Sequence, residues 1–202
     1  MDDHLLSGVR IIESSLLGPG FLTTFLADMG ADVIKVESPQ GDYIRQMTWP
    51  IVDGVSLLHL HTHRNKKSVV LDLKTDEGIA VYKELVADAD AVVEAMRPGA
   101  LERLGLGYDE LRAINPSIVF ITISGYGMTG PYKDMPSHGI AYDTWAGLVQ
   151  PVVDDDGFTH IDGGPNIGIN AGPALIPMLG PPSMWVKPSS STTGCTSPAQ
   201  VS

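Results

Sequence analysis

Short β-branched runs alternate with helical patterns along most of this chain, and that order constrains its fold more than any other feature. Val9–Glu13 (VRIIE) reads as a strand. After Gly18-Pro19-Gly20 comes Phe21–Met29, whose apolar spacing fits a helix stopping at Gly30. Val33–Val36 and Ser68–Leu71 read as further strands. Thr75-Asp76-Glu77 has the chemistry of a helix start, followed by apolar Ile79, Val81, Leu85 and Val86 and then the strand Ala91–Val93. A turn at Arg97-Pro98-Gly99, short helices at Ala100–Leu104 and Asp109–Ala113, and a strand at Ile118–Ile123 complete the rhythm. Strand-helix-strand repetition implies an α/β fold, a parallel sheet with flanking helices.

In such a sheet, ligands bind beyond the carboxyl ends of the strands, where free helix N–H groups favour phosphate. Lys35, Lys74 and Arg97 each sit in or just after a strand, so this order would gather three cations at one rim. Pro98 suits the first turn of a helix, leaving Gly99 for close approach. Gly18-Pro19-Gly20 is not the G-x-G-x-x-G fingerprint, which argues against a nicotinamide enzyme, and no P-loop occurs. The formal net charge of −11 argues against nucleic acid. Yet Arg64, Lys66, Lys67, Lys74, Lys83, Arg97 and Arg103 crowd one region, while Asp154, Asp155, Asp156 and Asp162 form an acidic loop. A local basic patch suits a small anion, although solvated surface charge would produce the same pattern. No apolar run is long enough to span a bilayer, and the MDDH start is unlike a secretory signal, so a cytoplasmic location without membrane contact is expected. The single cysteine, Cys195, excludes a disulfide framework.

Four segments then stand in order: FLADMGADVIKVESPQGD, NKKSVVLDLKTDEG, ADAVVEAMRPGALERLGLGY and ITISGYGMTGPYKDMPSHGIAYD. Together they resemble the N-terminal part of the class III CoA-transferase family, which includes carnitine and formyl-CoA transferases and α-methylacyl-CoA racemase. The resemblance implies a Rossmann-like large domain, a smaller second domain further along, and an interlocked homodimer. It implies acyl-CoA and a carboxylic acid as substrates, with CoA exchanged between acids and no metal. By position, Leu71, Leu73 and Lys74 would neighbour the adenosine phosphate, with Arg97 and Arg103 near the phosphates.

The transferases use an aspartate that forms an acyl anhydride and then a CoA thioester. Ile169 stands at the matching place in Asn166–Gly172, and Asn170 is a poor nucleophile; Asp143 and Asp162 are the nearest carboxylates in sequence. His138 matches the racemase histidine by position. It would serve as an acid/base at an α carbon, or merely cap the helix expected from Gly139 to Val149, with Tyr142 and Trp145 as its apolar anchors. A racemase-like isomerase and a non-catalytic CoA-binding remnant are therefore the alternatives to a transferase. His59, His61 and His63 would share one face of an extended strand, but no Glu or Cys accompanies them at ligand spacing. The methionines, Met96 among them, read as packing residues, and Ser124–Pro131 as a glycine-rich loop that either closes over a thioester or simply turns. Residues 1–180 are expected to form the CoA-binding domain, incomplete relative to the family. Residues 181–202 (PPSMWVKPSSSTTGCTSPAQVS) read as a disordered tail produced by truncation or a frame change near Gly180.

Overall fold

The computed structural model describes residues 4–47, 50–136 and 151–161. In chain order these form β1 (Arg10–Ser14), α1 (Gly20–Asp28), β2 (Asp32–Glu37), a 3-10 turn (Tyr43–Gln46), β3 (Pro50–Val52), β4 (Val55–Ser56) and α2 (Leu57–His63). Next come β5 (Lys67–Val70), α3 (Asp76–Ala87), β6 (Ala91–Glu94), α4 (Ala100–Arg103), α5 (Tyr108–Ile114), β7 (Val119–Thr122), β8 (Pro151–Val153) and β9 (Thr159–Ile161). Five strands make one parallel sheet in the order β5-β2-β1-β6-β7. Ranked by chain order, the five strands run 3-2-1-4-5, so the order reverses between β1 and β6 as it does between the two halves of a doubly wound Rossmann sheet. β3 with β4 and β8 with β9 form two small antiparallel pairs.

Alternation along the strands sorts the core into two layers. Ile12, Val36, Val92 and Phe120 face α3, α4 and α5, packing with Tyr82, Val86, Leu101, Tyr108 and Leu111. Ile11, Val33 and Val93 face the other way, against Leu22 and Ala27 of α1. The sheet is thus covered on both faces, which is why its strands are short and β-branched rather than amphipathic.

Local chemistry sets the helix ends. Gly30, at φ 99°, closes α1: its N–H donates to Ala27 O and that of Ala31 to Leu26 O, a Schellman pair that a left-handed residue makes possible. Thr75 caps α3 by accepting from Gly78 N at 3.1 Å, and Asp76 and Glu77 complement the positive end of the helix. The expected placement of Pro98 inside a helical turn is corrected: Gly99, with φ 75°, is the N-cap of α4, and Pro98 lies one residue outside. The left-handed cap starts the helix at Ala100, two residues later than the proline's own preference for the first helical position would.

Asp154 Oδ1 accepts from the N–H groups of Asp156 and Phe158, so the first part of the acidic loop is the turn joining β8 to β9. Among the described residues no helix is long and apolar enough to cross a membrane. His138, Tyr142, Asp143, Trp145, Asp162, Ile169, Asn170 and the expected tail at 181–202 lie outside the described residues.

Candidate functional site

The carboxyl ends of β1, β2, β5 and β6 surround a cavity of about 260 Å³. Ser14 contributes from β1, Val36 and Glu37 from β2 with Ser38, Pro39 and Gln40 beyond it, Leu71–Lys74 from the loop after β5, and Met96 and Leu104 from the segment after β6. Its floor is the top of the larger core layer, since Val36, Leu71, Leu73, Met96 and Leu104 also pack there. An apolar slot with polar groups at its edges suits a flat heterocycle carrying a charged tail.

Each wall is held in place by identifiable contacts. Ser14 Oγ lies 3.0 Å from the buried Tyr82 hydroxyl, whose ionisation burial pushes up to about 12. The loop Leu71–Lys74 turns on Asp72, whose Oδ1 accepts from Lys74 N. It lies so tightly on α3 that a Cβ at Gly78 would come 2.1 Å from Asp72 O. Glu94, at the end of β6, accepts from Met96 N at 2.8 Å; burial raises its pKa.

Glu37 organises the loop after β2. Its Oε1 accepts from Arg45 Nη2 at 2.5 Å and Ser68 Oγ at 2.6 Å, and its Oε2 from Arg45 Nε at 2.8 Å and Asp42 N at 2.9 Å. Burial alone would raise the carboxyl pKa; the Arg45 pair and the hydrogen bonds from Ser68 and Asp42 outweigh it and bring it down to about 2.

Behind this loop, on the α1 face, lies a buried ion network. Register places Glu13 of β1 opposite Lys35 of β2, with Lys35 Nζ 3.2 Å from Glu13 Oε1 and 3.1 Å from Asp42 Oδ2. Lys66 Nζ donates to Glu13 Oε2 at 2.8 Å and to Gly20 O at 2.6 Å. Thr23 and Ser15 hydroxyls also donate to Glu13, and His63 Nε2 lies 3.4 Å from Asp42 Oδ2. Two carboxylates face two ammonium groups, a balance that makes burial of all four tolerable. Burial drives the Lys66 pKa down to about 8, against the opposing pull of Glu13.

Comparison with known proteins gives this geometry a family. The model of CoA-transferase family III matches residues 6–164. The chain belongs to CoA-transferase family III. It is 44% identical over 147 residues to the succinyl-CoA–L-malate CoA-transferase beta subunit of Chloroflexus aurantiacus, covering 68% of this chain and 36% of that one. It is 41% identical to the succinate–glutarate CoA-transferase of Agrobacterium fabrum, over 75% of this chain and 40% of that protein. The human succinyl-CoA:glutarate CoA-transferase is also 41% identical, over 80% and 35%. The chain therefore spans little more than a third of the length of these curated relatives. Among solved structures, a CaiB/BaiF family protein from Brucella suis superposes with a TM-score of 0.74 at 32% identity, covering 84% of this chain and 46% of that one. A hypothetical protein of Mycobacterium tuberculosis gives 0.75 at 33%, covering 86% and 48%.

Against this family III framework, the residues expected at the site separate into groups. Leu71, Leu73 and Lys74 line the cavity together. Arg97 and Arg103 are exposed and adjoin the lining residues Met96 and Leu104, and Arg103 Nη1 lies 3.3 Å from where a Cβ on Gly99 would be. Lys35 is elsewhere: its ammonium is 1% exposed and engaged by Glu13, Asp42 and Ser15 O in the network behind the cavity. Met96 both packs on the core and lines the cavity.

The extended strand expected for the histidines is overturned, because Leu57–His63 is helix α2, capped by Ser56 Oγ on His59 N. Helical spacing stacks His59 on His63 with ring centroids 4.7 Å apart and sends His61 against Phe21. Among the described residues no group of three metal-ligating side chains is assembled. Burial, with Arg45 and His63 beside it, lowers the His59 pKa to about 4.

The Glu37–Arg45 clamp and the Glu13–Lys66 pair escaped sequence reading. The available signal was a glutamate ending each of two β-branched runs, VRIIE and DVIKVE.

Proposed function

We propose that this chain supplies the CoA-binding part of an acyl-CoA transferase that exchanges CoA between two carboxylic acids. The observation that carries the reading is the cavity at the β1/β6 reversal, an apolar slot with Lys74 at its edge and Arg97 and Arg103 on the neighbouring segment. The adenine ring would lie against Leu71 and Leu73. Lys74 would meet the ribose phosphate and Arg97 and Arg103 the phosphates, with the pantetheine arm directed toward Ser14 and Met96. The exchange breaks the thioester of the donor acyl group and makes one to the acceptor, with no net loss of water. Relatives named for succinyl-CoA with malate or glutarate support short dicarboxylic acids as the substrate class. The homodimer and the cytoplasmic setting expected of the chain belong to the same proposal, and His138 remains the proposed acid/base group of the racemase alternative.

Titration of CoA into the purified chain, alongside Lys74→Ala and Arg97→Ala, tests the binding. Both variants are expected to weaken affinity by about tenfold, equivalent to one charge-assisted contact. Transfer of labelled succinate into succinyl-CoA tests the activity. Deuterium wash-in at the α carbon of a 2-methylacyl-CoA without such exchange would refute transfer in favour of isomerisation.

A further inference from the structure

In a parallel sheet of this order, a free carboxylate at the end of the second strand accepts the hydroxyls of a ribose diol. Glu37 occupies that position and lines the cavity, but it has nothing left to offer a diol. A carboxylate has about four lone-pair sites, and the Glu37 oxygens are filled by Arg45 Nη2 and Nε, Ser68 Oγ and Asp42 N. Arg45 supplies two of these donors and cancels the charge. It is itself fixed on the far side, where Nη1 lies 3.1 Å from His59 Nε2. The other charged lining residues are Asp72, whose Oδ1 is turned onto Lys74 N, and Lys74.

We propose that Arg45 is a specificity-determining residue that makes this cavity select a phosphorylated ribose over one with a free diol; the inference rests on the CoA reading above. By saturating Glu37, Arg45 removes both the acceptor that would reward a diol and the negative charge that would repel a phosphate near Lys74. It does this without touching the ligand.

The test is equilibrium binding of CoA and of 3′-dephospho-CoA to the same chain. The wild type is expected to favour CoA. Arg45→Met is expected to cut that preference about tenfold by exposing one uncompensated carboxylate. Adding Glu37→Gln to Arg45→Met removes the carboxylate and is expected to restore the preference. Arg45→Lys, which keeps the charge but cannot fork across both oxygens, is expected to fall between them. It gives the same readout should the methionine variant fail to fold. If the variants weaken both ligands equally and leave the preference unchanged, Arg45 is only structural and the inference is overturned. A wild type that binds both ligands equally also overturns it while leaving the CoA reading intact. A wild type that binds neither removes the CoA reading itself.

Discussion

Replacing Glu37 with glutamine isolates the energy of its carboxylate, because glutamine has nearly the shape of a protonated glutamate. The folded-state pKa is about 2, against 4.5 for the ordinary group. At about 1.36 kcal/mol per unit, this corresponds to about 3 kcal/mol of stabilisation at neutral pH. The folded value is depressed, so this contribution is complete above the unfolded value and drains away as pH falls through 4.5 toward 2. Urea denaturation suits the measurement because urea does not screen the Arg45 pair. Glu37→Gln is expected to be about 3 kcal/mol less stable than the wild type at pH 7, with the gap falling below half by pH 3. Loss of ionisation at other carboxylates affects both proteins and cancels in the difference. A gap of the same size at pH 7 and pH 3 would show that the substitution acts through packing and would refute the electrostatic account.

Two other perturbations test the supports of the cavity. Gly78→Ala forces a methyl against the Asp72 carbonyl, so the Leu71–Lys74 loop must move. Thermal or urea melts should show a loss of about 1–3 kcal/mol, and CoA affinity should fall with it; a neutral substitution would mean that the loop does not sit on α3 as described. Lys35→Met leaves Glu13 and Asp42 with one ammonium fewer in a dry interior. Denaturation at pH 7 should register a loss of about 3–5 kcal/mol, and a double-mutant cycle with Glu13→Gln should recover part of it.

Strand and helix identity was legible because it depends on local chemistry: β-branched runs gave the five parallel strands, and Thr75 and Gly30 marked helix ends within a residue or so. The rim position of Lys74 was legible as well, since the loop after a parallel strand has few places to go, whereas Leu71 and Leu73 were expected there from the family resemblance alone. Lys35 shows where such reasoning stops. Its distance along the chain from a strand end is readable, and alternation puts it on the face opposite Val36, but that Glu13 lies across from it to hold it there depends on the pairing of β1 with β2, a contact between residues 22 positions apart. His59, His61 and His63 expose a different limit. Alternating histidines fit a strand, while the first and last of them also fit one helical i,i+4 spacing, and the Ser56 cap together with packing against α1 decided between the two. Arg45 was invisible for the same reason as Lys35, since its role exists only once the turn after Asp42 folds it back onto Glu37.

The network joining Glu13, Lys35, Asp42 and Lys66 also limits how this sequence can drift. With two charges of each sign sealed from water, a single neutralising change strands its partner, whereas a coordinated change keeps the balance. The four positions, drawn from β1, β2, the loop after it and the segment before β5, are therefore expected to vary across descendants of this sequence as a linked set. Each would otherwise have to cross a poorly folded intermediate, so the network acts as a ratchet on divergence in the half of the sheet that carries the cavity.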